Sequence, residues 1–445
     1  MKVVVIGAGL TGLSAALNLK SKADKVVVLE RAARPGGLSR TEKSGNFKFD
    51  YTGHFLHFNS PDIQNYVNEL FADSPDKNLL EIERNSRIFF RDRLIPYPFQ
   101  SNIAYLPLTE RRKCLLEFFK NLRNNSAGSR PAQNNFYDWL LYRFGRGILK
   151  YFMVPYNKKL WTVHPRKLTT EWMDRFVPRP SPGEVIKGAL SERKKKEGYN
   201  ATFFYPEGGI GNLAEILAGK VCSVNYSEPA QKIDIAGREV QTKQNNYKYD
   251  YLISTVPLNR MVKLIKNIPS GVNKKFNLLT ASSLLNINIG WRGAPGELID
   301  KNTHWIYFPD EKFKFYRVGF PPAVSRRMSP PGSWSAYVEI SYPGGSLPAV
   351  DKHKDIAAEV VRDLKNLNII PAGSDILKQM IFKIEPSYVI YNKHLNSSRN
   401  SILNFLEKNN IFCGGRYGGW EYSTMEEALV WGDKLAKKCV RGQFI

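Results

Sequence analysis

Two short apolar runs near the start of the chain set the first expectation. Lys2 to Ile6 reads KVVVI and Lys25 to Leu29 reads KVVVL. Each is rich in β-branched residues and too short for a helix, the pattern of a strand buried on both faces. Between them LSAALNL has helical character, so the first thirty or so residues predict a β-α-β unit. Asp250 to Pro257 (DYLISTVP), His304 to Phe320 and Ser333 to Tyr342 read as further strand material, and Ile411 to Cys413 as a strand running into a turn at Gly414-Gly415. From about residue 65 to 200 helical periodicity and aromatics dominate, as in Phe136 to Phe152, and a helix is expected from about Met425 to Lys437. The fold class is α/β.

The turn of the first unit carries chemistry. Gly7-Ala8-Gly9-Leu10-Thr11-Gly12 is a GxGxxG run that leaves a strand and opens a helix. Gly7 allows the tight turn, Gly9 lets a pyrophosphate approach the backbone, and Gly12 lets helix and strand pack closely. The helix N-terminus, with Leu10 and Thr11, then faces the phosphates. Glu30 closes the second strand, where it can accept from a ribose hydroxyl; a carboxylate there argues against a 2′-phosphate.

The chain has 445 residues, 42% hydrophobic and 24% charged, long enough to bury a core without staples and of ordinary globular composition. Charge changes the picture: 65 Lys and Arg against 41 Asp and Glu leave +24. Such a surplus favours anionic partners: phosphate-bearing small molecules, nucleic acid or an acidic membrane surface. No basic block is long enough for a nucleic-acid tail, so specific nucleic-acid binding is not expected, whereas peripheral membrane contact stays open. The densest run, Arg193 to Lys196, reads as a solvated loop. Cys114, Cys222, Cys413 and Cys439 are far apart, without metal-ligand spacing, which points to a reducing, cytoplasmic setting and no disulfide framework. No signal peptide and no membrane span are read. His54 and His57 are close in sequence but lack a third ligand, so no metal is expected.

Just after Glu30 and Arg31 come Gly36, Gly37, Leu38 and Ser39. A glycine pair after the second strand resembles the FAD-binding flavoproteins of the amine oxidase and protoporphyrinogen oxidase superfamily, and DYLISTVP is similar to a later strand of that fold; the plainer reading of the pair is an ordinary turn. Seven further motifs resemble the UDP-galactopyranose mutase family within that superfamily. They are Gly53 to His57 (GHFLH), Pro96 to Ile103 (PYPFQSNI), Pro155 to Trp161 (PYNKKLW), Asn200 to Phe203 (NATF), Trp305 to Pro309 with Arg317, Tyr388 to Tyr391, and Gly415 to Tyr422 (GRYGGWEY).

The resemblance implies a discontinuous Rossmann-like FAD domain from residues 1–60, 201–260 and 386–445, a mainly helical insertion at 61–200, and a mixed-sheet substrate region at 261–385. It implies Gly7, Gly9, Leu10, Thr11, Gly12, Glu30, Arg31, Gly36, Gly37, Leu38, Ser39, Gly53, His54, Gly415 and Met425 around the cofactor. Gln100, Asn157, Trp161, Arg175, Asn200, Tyr307, Tyr391 and Tyr422 fall on the substrate side. Arg317 and Arg416 would grip the diphosphate, for which a forked, permanently charged guanidinium is suited, and His54 would shape the loop at the flavin edge. The implied reaction is a pyranose–furanose interconversion of a UDP-linked sugar without net redox change. FAD must first be reduced, by NAD(P)H or another reductant, and its N5 attacks the anomeric carbon to form a flavin-sugar adduct. The sugar half of the pattern departs from the family: no tyrosine follows Arg317 in Val318 to Val324. Two other functions stay open: an FAD-dependent oxidase or desaturase of the same superfamily, and a non-enzymatic binder on the same fold.

Overall fold

The structure is a computed structural model that describes residues 1–74, 76–126, 133–173, 176–191 and 201–442. The two KVVV runs pair in parallel from Lys2↔Lys25 to Ile6↔Leu29. Tyr251–Ser254 adds to the other side of the first strand, Ile411–Cys413 beyond it, and Val224–Asn225 closes the far edge of a five-stranded parallel sheet. Helices Leu10–Leu19 and Met425–Arg441 lie against each other beside this sheet, which is why its strands read as unbroken apolar runs. The second helix starts at a capping box in which Thr424 and Glu427 satisfy each other's backbone N–H groups.

A larger sheet of seven strands holds the other half. Its order is Ile376–Ile384, Ser283–Arg292, Ser333–Tyr342, Arg317–Gly319, Trp305–Tyr307, Ser86–Phe90 and Arg93–Pro96. Side chains alternate along Ser283–Arg292. Leu285, Ile287 and Ile289 join an aromatic-rich core that includes Trp291, Phe308 and Phe315. Asn286 and Asn288, also fully buried, point to the other face, where the Asn286 Nδ2 donates to the Tyr51 carbonyl at 2.6 Å. One face of this sheet therefore closes the aromatic core, while the other mixes buried amides with a second, smaller aromatic cluster of Phe47, Phe49 and Phe382.

Helices Pro61–Ala72, Leu108–Ser126, Phe136–Ile148, Val154–Trp161 and Pro182–Leu190 fill much of the stretch expected to be helical. Residues 79–96 within it form three strands instead. Ser86–Phe90 and Arg93–Pro96 make a hairpin on the edge of the large sheet, and Leu79–Glu83 pairs with Thr202–Pro206. The turn at Arg91-Asp92 has positive φ at both residues, 48° and 61°, a tight hairpin turn built without the Asn-Gly pair that marks such turns in a sequence.

The contact between helices Leu10–Leu19 and Met425–Arg441 depends on Gly432. A Cβ there would lie 2.4 Å from the Ser14 Cβ and 2.7 Å from the Ala15 nitrogen, while the Ser14 hydroxyl donates to the Leu429 carbonyl at 2.8 Å. Gly432→Val is expected to destabilise the protein by about 2–3 kcal/mol through overpacking, read as a lower urea midpoint. An unchanged midpoint would mean that the helices can part without cost.

Candidate active site

A cavity of ≈ 950 Å³ lies between the carboxyl ends of the parallel strands, the face of the large sheet that bears Arg317, and the segments at residues 152–161 and 176–178. That volume is at the upper end for a ligand pocket. Of the residues expected around the cofactor, all but Gly12 line it. Gly12 is a packing residue, because its Cβ would fall 1.9 Å from the Gly7 carbonyl oxygen.

Gly9 is the informative position. Its φ of −75° suits any residue, and a Cβ there would meet nothing within 4 Å. Neither backbone conformation nor packing requires glycine, so the open space in front of it is what a side chain would fill. Gly9 also caps helix Leu10–Leu19 without a side-chain hydrogen bond and with no acidic residue in the first turn. The first-turn N–H groups are thus left for an anion. The Glu30 carboxylate accepts from the Ala8 and Ala32 N–H groups at 2.7 and 2.8 Å. This pins the glycine loop to the end of the second strand and leaves carboxylate lone pairs for a ribose hydroxyl. The Gly36 N–H donates to the Ala8 carbonyl at 2.7 Å, folding the second glycine loop over the first. Phosphate donors, an acid for the ribose and space where a Cβ would be fit a dinucleotide.

The same cavity is lined by many of the expected substrate-side residues. Arg317 and Glu339 face each other across adjacent strands. The guanidinium donates through Nε at 2.9 Å and Nη2 at 2.6 Å to the two oxygens of a carboxylate with no solvent exposure. One edge of the fork and the net charge of Arg317 are thus already answered. Arg416 differs. Its Nη1 donates to the Ser423 carbonyl at 2.9 Å, and its guanidinium lies 4.9 Å from the Tyr422 ring centre and 5.3 Å from that of Tyr388. No carboxylate is paired with it among the described residues, so its charge is free to meet an anion in the cavity.

Trp161 is fully buried and donates to the Asn157 Oδ1 at 3.1 Å, while the Asn157 Nδ2 donates to the Met153 carbonyl at 2.8 Å. Asn157 therefore holds the tryptophan, whose ring meets those of Trp172, Tyr388 and Tyr422. Gln100 is 1% exposed; its Nε2 donates to the Pro178 carbonyl and its Oε1 has no protein partner. Tyr307 and Tyr422 line the cavity, whereas Tyr391 does not. Its hydroxyl turns away to accept the Tyr422 N–H at 2.7 Å, and Tyr388, three residues earlier, takes the place on the wall. Arg175 and Asn200 lie outside the described residues. Residues that the sequence reading passed over include Glu339, Tyr156 and Arg84, the last a cavity-lining guanidinium 4.6 Å from the Tyr97 ring centre.

His54 sits on the cavity wall with Nδ1 3.0 Å from the Thr52 hydroxyl. Burial, then Arg416 and Arg317, push its pKa down to about 3. His57 is pushed down to about 4, chiefly by burial, with its Nδ1 3.2 Å from the Thr202 carbonyl. Beneath this loop the buried Asp50 accepts from the Thr41 and Tyr205 hydroxyls, each at 2.6 Å. Burial raises it to about 6, against those two hydrogen bonds.

These groups oppose one another in acid. Both histidines stay neutral in the fold, so their contribution to stability is complete above the unfolded value of 6.5 and falls as the pH drops below it. Asp50 holds a proton in the fold between its unfolded 3.8 and about 6, so its contribution rises as the pH falls through that window. Asp50→Asn removes the counterweight. Between about pH 7 and 5 the variant should lose about 1 kcal/mol more than the parent in urea unfolding; equal losses would place the Asp50 proton elsewhere. At the other wall, Gly9→Val should give a folded protein that binds no dinucleotide, checked by cofactor absorbance beside the melting temperature. A full complement of cofactor would show that nothing approaches Gly9.

Comparison with known proteins agrees with this geometry. Among solved structures the fold is similar to that of a reduced UDP-galactopyranose mutase, with a TM-score of 0.89 and 27% identity over 99% of this chain and 95% of that one. An oxidoreductase from Methanosarcina mazei shares the fold at a TM-score of 0.62 and 16% identity, over 98% of this chain and all of the other. By sequence, protoporphyrinogen oxidase 2 of Arabidopsis thaliana is 22% identical over 326 residues, 65% of this chain and 63% of the plant protein. A neurosporene-forming phytoene desaturase of Rhodobacter capsulatus is 49% identical over 96 residues, 20% of this chain and 17% of the desaturase. The chain thus spans less than two thirds of the length of these two relatives. The model of the flavin containing amine oxidoreductases matches residues 10–437; the chain belongs to that family, and FAD is its cofactor.

Proposed function

We propose that the protein is a flavin-dependent mutase that interconverts the pyranose and furanose forms of a UDP-linked sugar, galactose first among them. The observation that carries this reading is Arg416, a cavity-lining guanidinium without a carboxylate partner among the described residues, on the short helix that follows strand Ile411–Cys413. A cavity that holds a flavin and also presents a free cation amid aromatic rings suits a second, phosphate-bearing ligand. The likeness to the reduced mutase over nearly the whole chain supports the same reading.

When bound and reduced, with NAD(P)H or another donor as reductant, FAD supplies an electron-rich ring nitrogen able to act as nucleophile toward an anomeric carbon. The protein's own part is electrostatic and geometric. Arg416 meets the charge that UDP gains as it leaves, and Arg317 contributes the guanidinium edge not engaged by Glu339. Tyr307 and Tyr422 add hydroxyl donors without adding charge. Trp161, fully buried, backs the Tyr388 and Tyr422 rings of the lining and holds them in place. His54, neutral at physiological pH, adds no charge beside Arg317 and Arg416, while its Thr52 contact fixes the ring. The assignment of residues 1–60, 201–260 and 386–445 to the cofactor and of 261–385 to the substrate belongs to this reading. The sequence relatives favour a second one, an oxidase or desaturase; of these two, the apolar polyene of a desaturase gives Arg416 nothing to bind.

Arg416→Ala should weaken UDP binding roughly 10- to 100-fold, the loss of a charge-assisted contact of about 1.5–3 kcal/mol, with FAD content and melting temperature kept. Arg416→Lys should restore only part of it. Arg317→Ala should behave otherwise: it strands Glu339 as a buried, unpaired charge and should lower stability by about 3–5 kcal/mol. Calorimetric titration with UDP and thermal unfolding separate the two, and parent-like UDP affinity in Arg416→Ala would remove the ground of this proposal. Conversion of UDP-galactopyranose, followed by NMR, should require reduced flavin yet consume no reductant in step with product. Stoichiometric consumption would point to the oxidoreductase reading.

A further inference from the structure

Helix Leu108–Ser126 has two unlike faces. Its inner side buries Cys114 and Phe118 in the core against helix Phe136–Ile148. Its outer side carries the stripe Leu108, Arg112, Leu116, Phe119 and Arg123, spaced four, four, three and four residues apart and all exposed. Leu108, Leu116 and Phe119 are 59%, 61% and 47% exposed. Lys113 and Lys120 flank this stripe. Leu190, 67% exposed, sits beside the helix, its carbonyl accepting from the Arg111 guanidinium. The two acidic residues of the helix are turned from this face or neutralised: Glu110 is buried and paired with Arg91, and Glu117 pairs with Lys120.

Apolar side chains this exposed are costly in water unless a partner covers them, and the cations between them specify the partner. We propose that this face docks on an anionic bilayer surface, with Leu116, Phe119 and Leu108 entering the headgroup region and Arg112 and Arg123 meeting lipid phosphates. A helix with basic and bulky apolar residues on its solvent side is the form that lies in the plane of an interface, and each basic residue near such a surface adds to the attraction. No helix among the described residues is long and apolar enough to cross a membrane, so the attachment is peripheral. A second copy of the chain fits less well, since a two-fold contact would bring the same cations together. Nucleic acid would answer the cations but leave the leucines in water. The net charge of +24 places the whole molecule in the same field.

The test is co-sedimentation of the full-length, FAD-loaded protein with phosphatidylserine-containing phosphatidylcholine vesicles and with pure phosphatidylcholine vesicles. Binding is expected to the former, to weaken in raised salt, and to be slight to the latter. Leu116→Ser/Phe119→Ser and Arg112→Gln/Arg123→Gln should each lower binding roughly tenfold or more, with flavin absorbance and melting temperature unchanged because all four side chains are exposed. The proposal fails if neither vesicle is bound, or if either double variant binds anionic vesicles as the parent does. Without vesicle binding, self-association lost in Leu116→Ser/Phe119→Ser would make the face an interface between copies. Without vesicle binding, capture of duplex DNA lost only in Arg112→Gln/Arg123→Gln would make it a nucleic-acid contact.

Discussion

Charge held inside a cavity has to be answered from within the protein, and the Arg317–Glu339 pair is where this chain does so. The two residues stand opposite each other on neighbouring strands, and the carboxylate is wholly buried. A lone guanidinium there would oppose the two strands that carry it, and a lone carboxylate would be worse. Paired, they lock the three-residue strand Arg317–Gly319 into the middle of the large sheet, where Arg317 reaches the cavity beside Tyr307 of the adjacent strand. The neighbouring histidine stays uncharged because it is buried and, secondarily, because two guanidinium groups lie beside it. Arg416 can remain unpaired only because tyrosine rings and a backbone carbonyl hold it.

The division between the sheets shows how packing makes a site. The parallel sheet is largely apolar and serves as a platform; most of its ligand-facing residues belong to the loops at its carboxyl ends. The seven-stranded sheet instead alternates, with one face closing an aromatic core and the other bearing amides, a carboxylate and a guanidinium. Lys159 ties the helix under the pocket to this sheet, donating to the Phe308 and Asp310 carbonyls at 2.7 and 3.0 Å. Burial lowers its pKa to about 7, against the pull of Asp310 and Glu311.

Local signals were legible in the sequence and pairings were not. The glycine loop, Glu30 and the two strands around them could be read because each is defined by near neighbours. Arg317 and Arg416 could be singled out because each sits in an aromatic motif. Glu339, by contrast, lies in SAYVEISY, which reads as an ordinary strand; only the register of two strands shows what it faces. Tyr391 and Tyr388 share one short segment, and the sequence does not tell which hydroxyl turns inward. The hairpin at residues 86–96 was hidden by a turn of Arg and Asp. Gly432 looks like a weak point in a helix until Ser14 is found against it.

The parallel sheet has a consequence in time as well as in space. Its strands at residues 2–6 and 25–29 are made long before the edge strand at residues 411–413 that pairs with Tyr251–Ser254, and the helix that covers Leu10–Leu19 ends at Arg441. Domains fold as they leave the ribosome only when their parts are present, and long-range parallel pairing is slow in any case. The glycine loops therefore emerge early and wait: four of the five strands are made by residue 254, but the fifth and the helix that covers Leu10–Leu19 come only from residue 411 onward. A nascent chain halted short of residue 411 holds the phosphate loop without the edge strand and the helix that complete its framework.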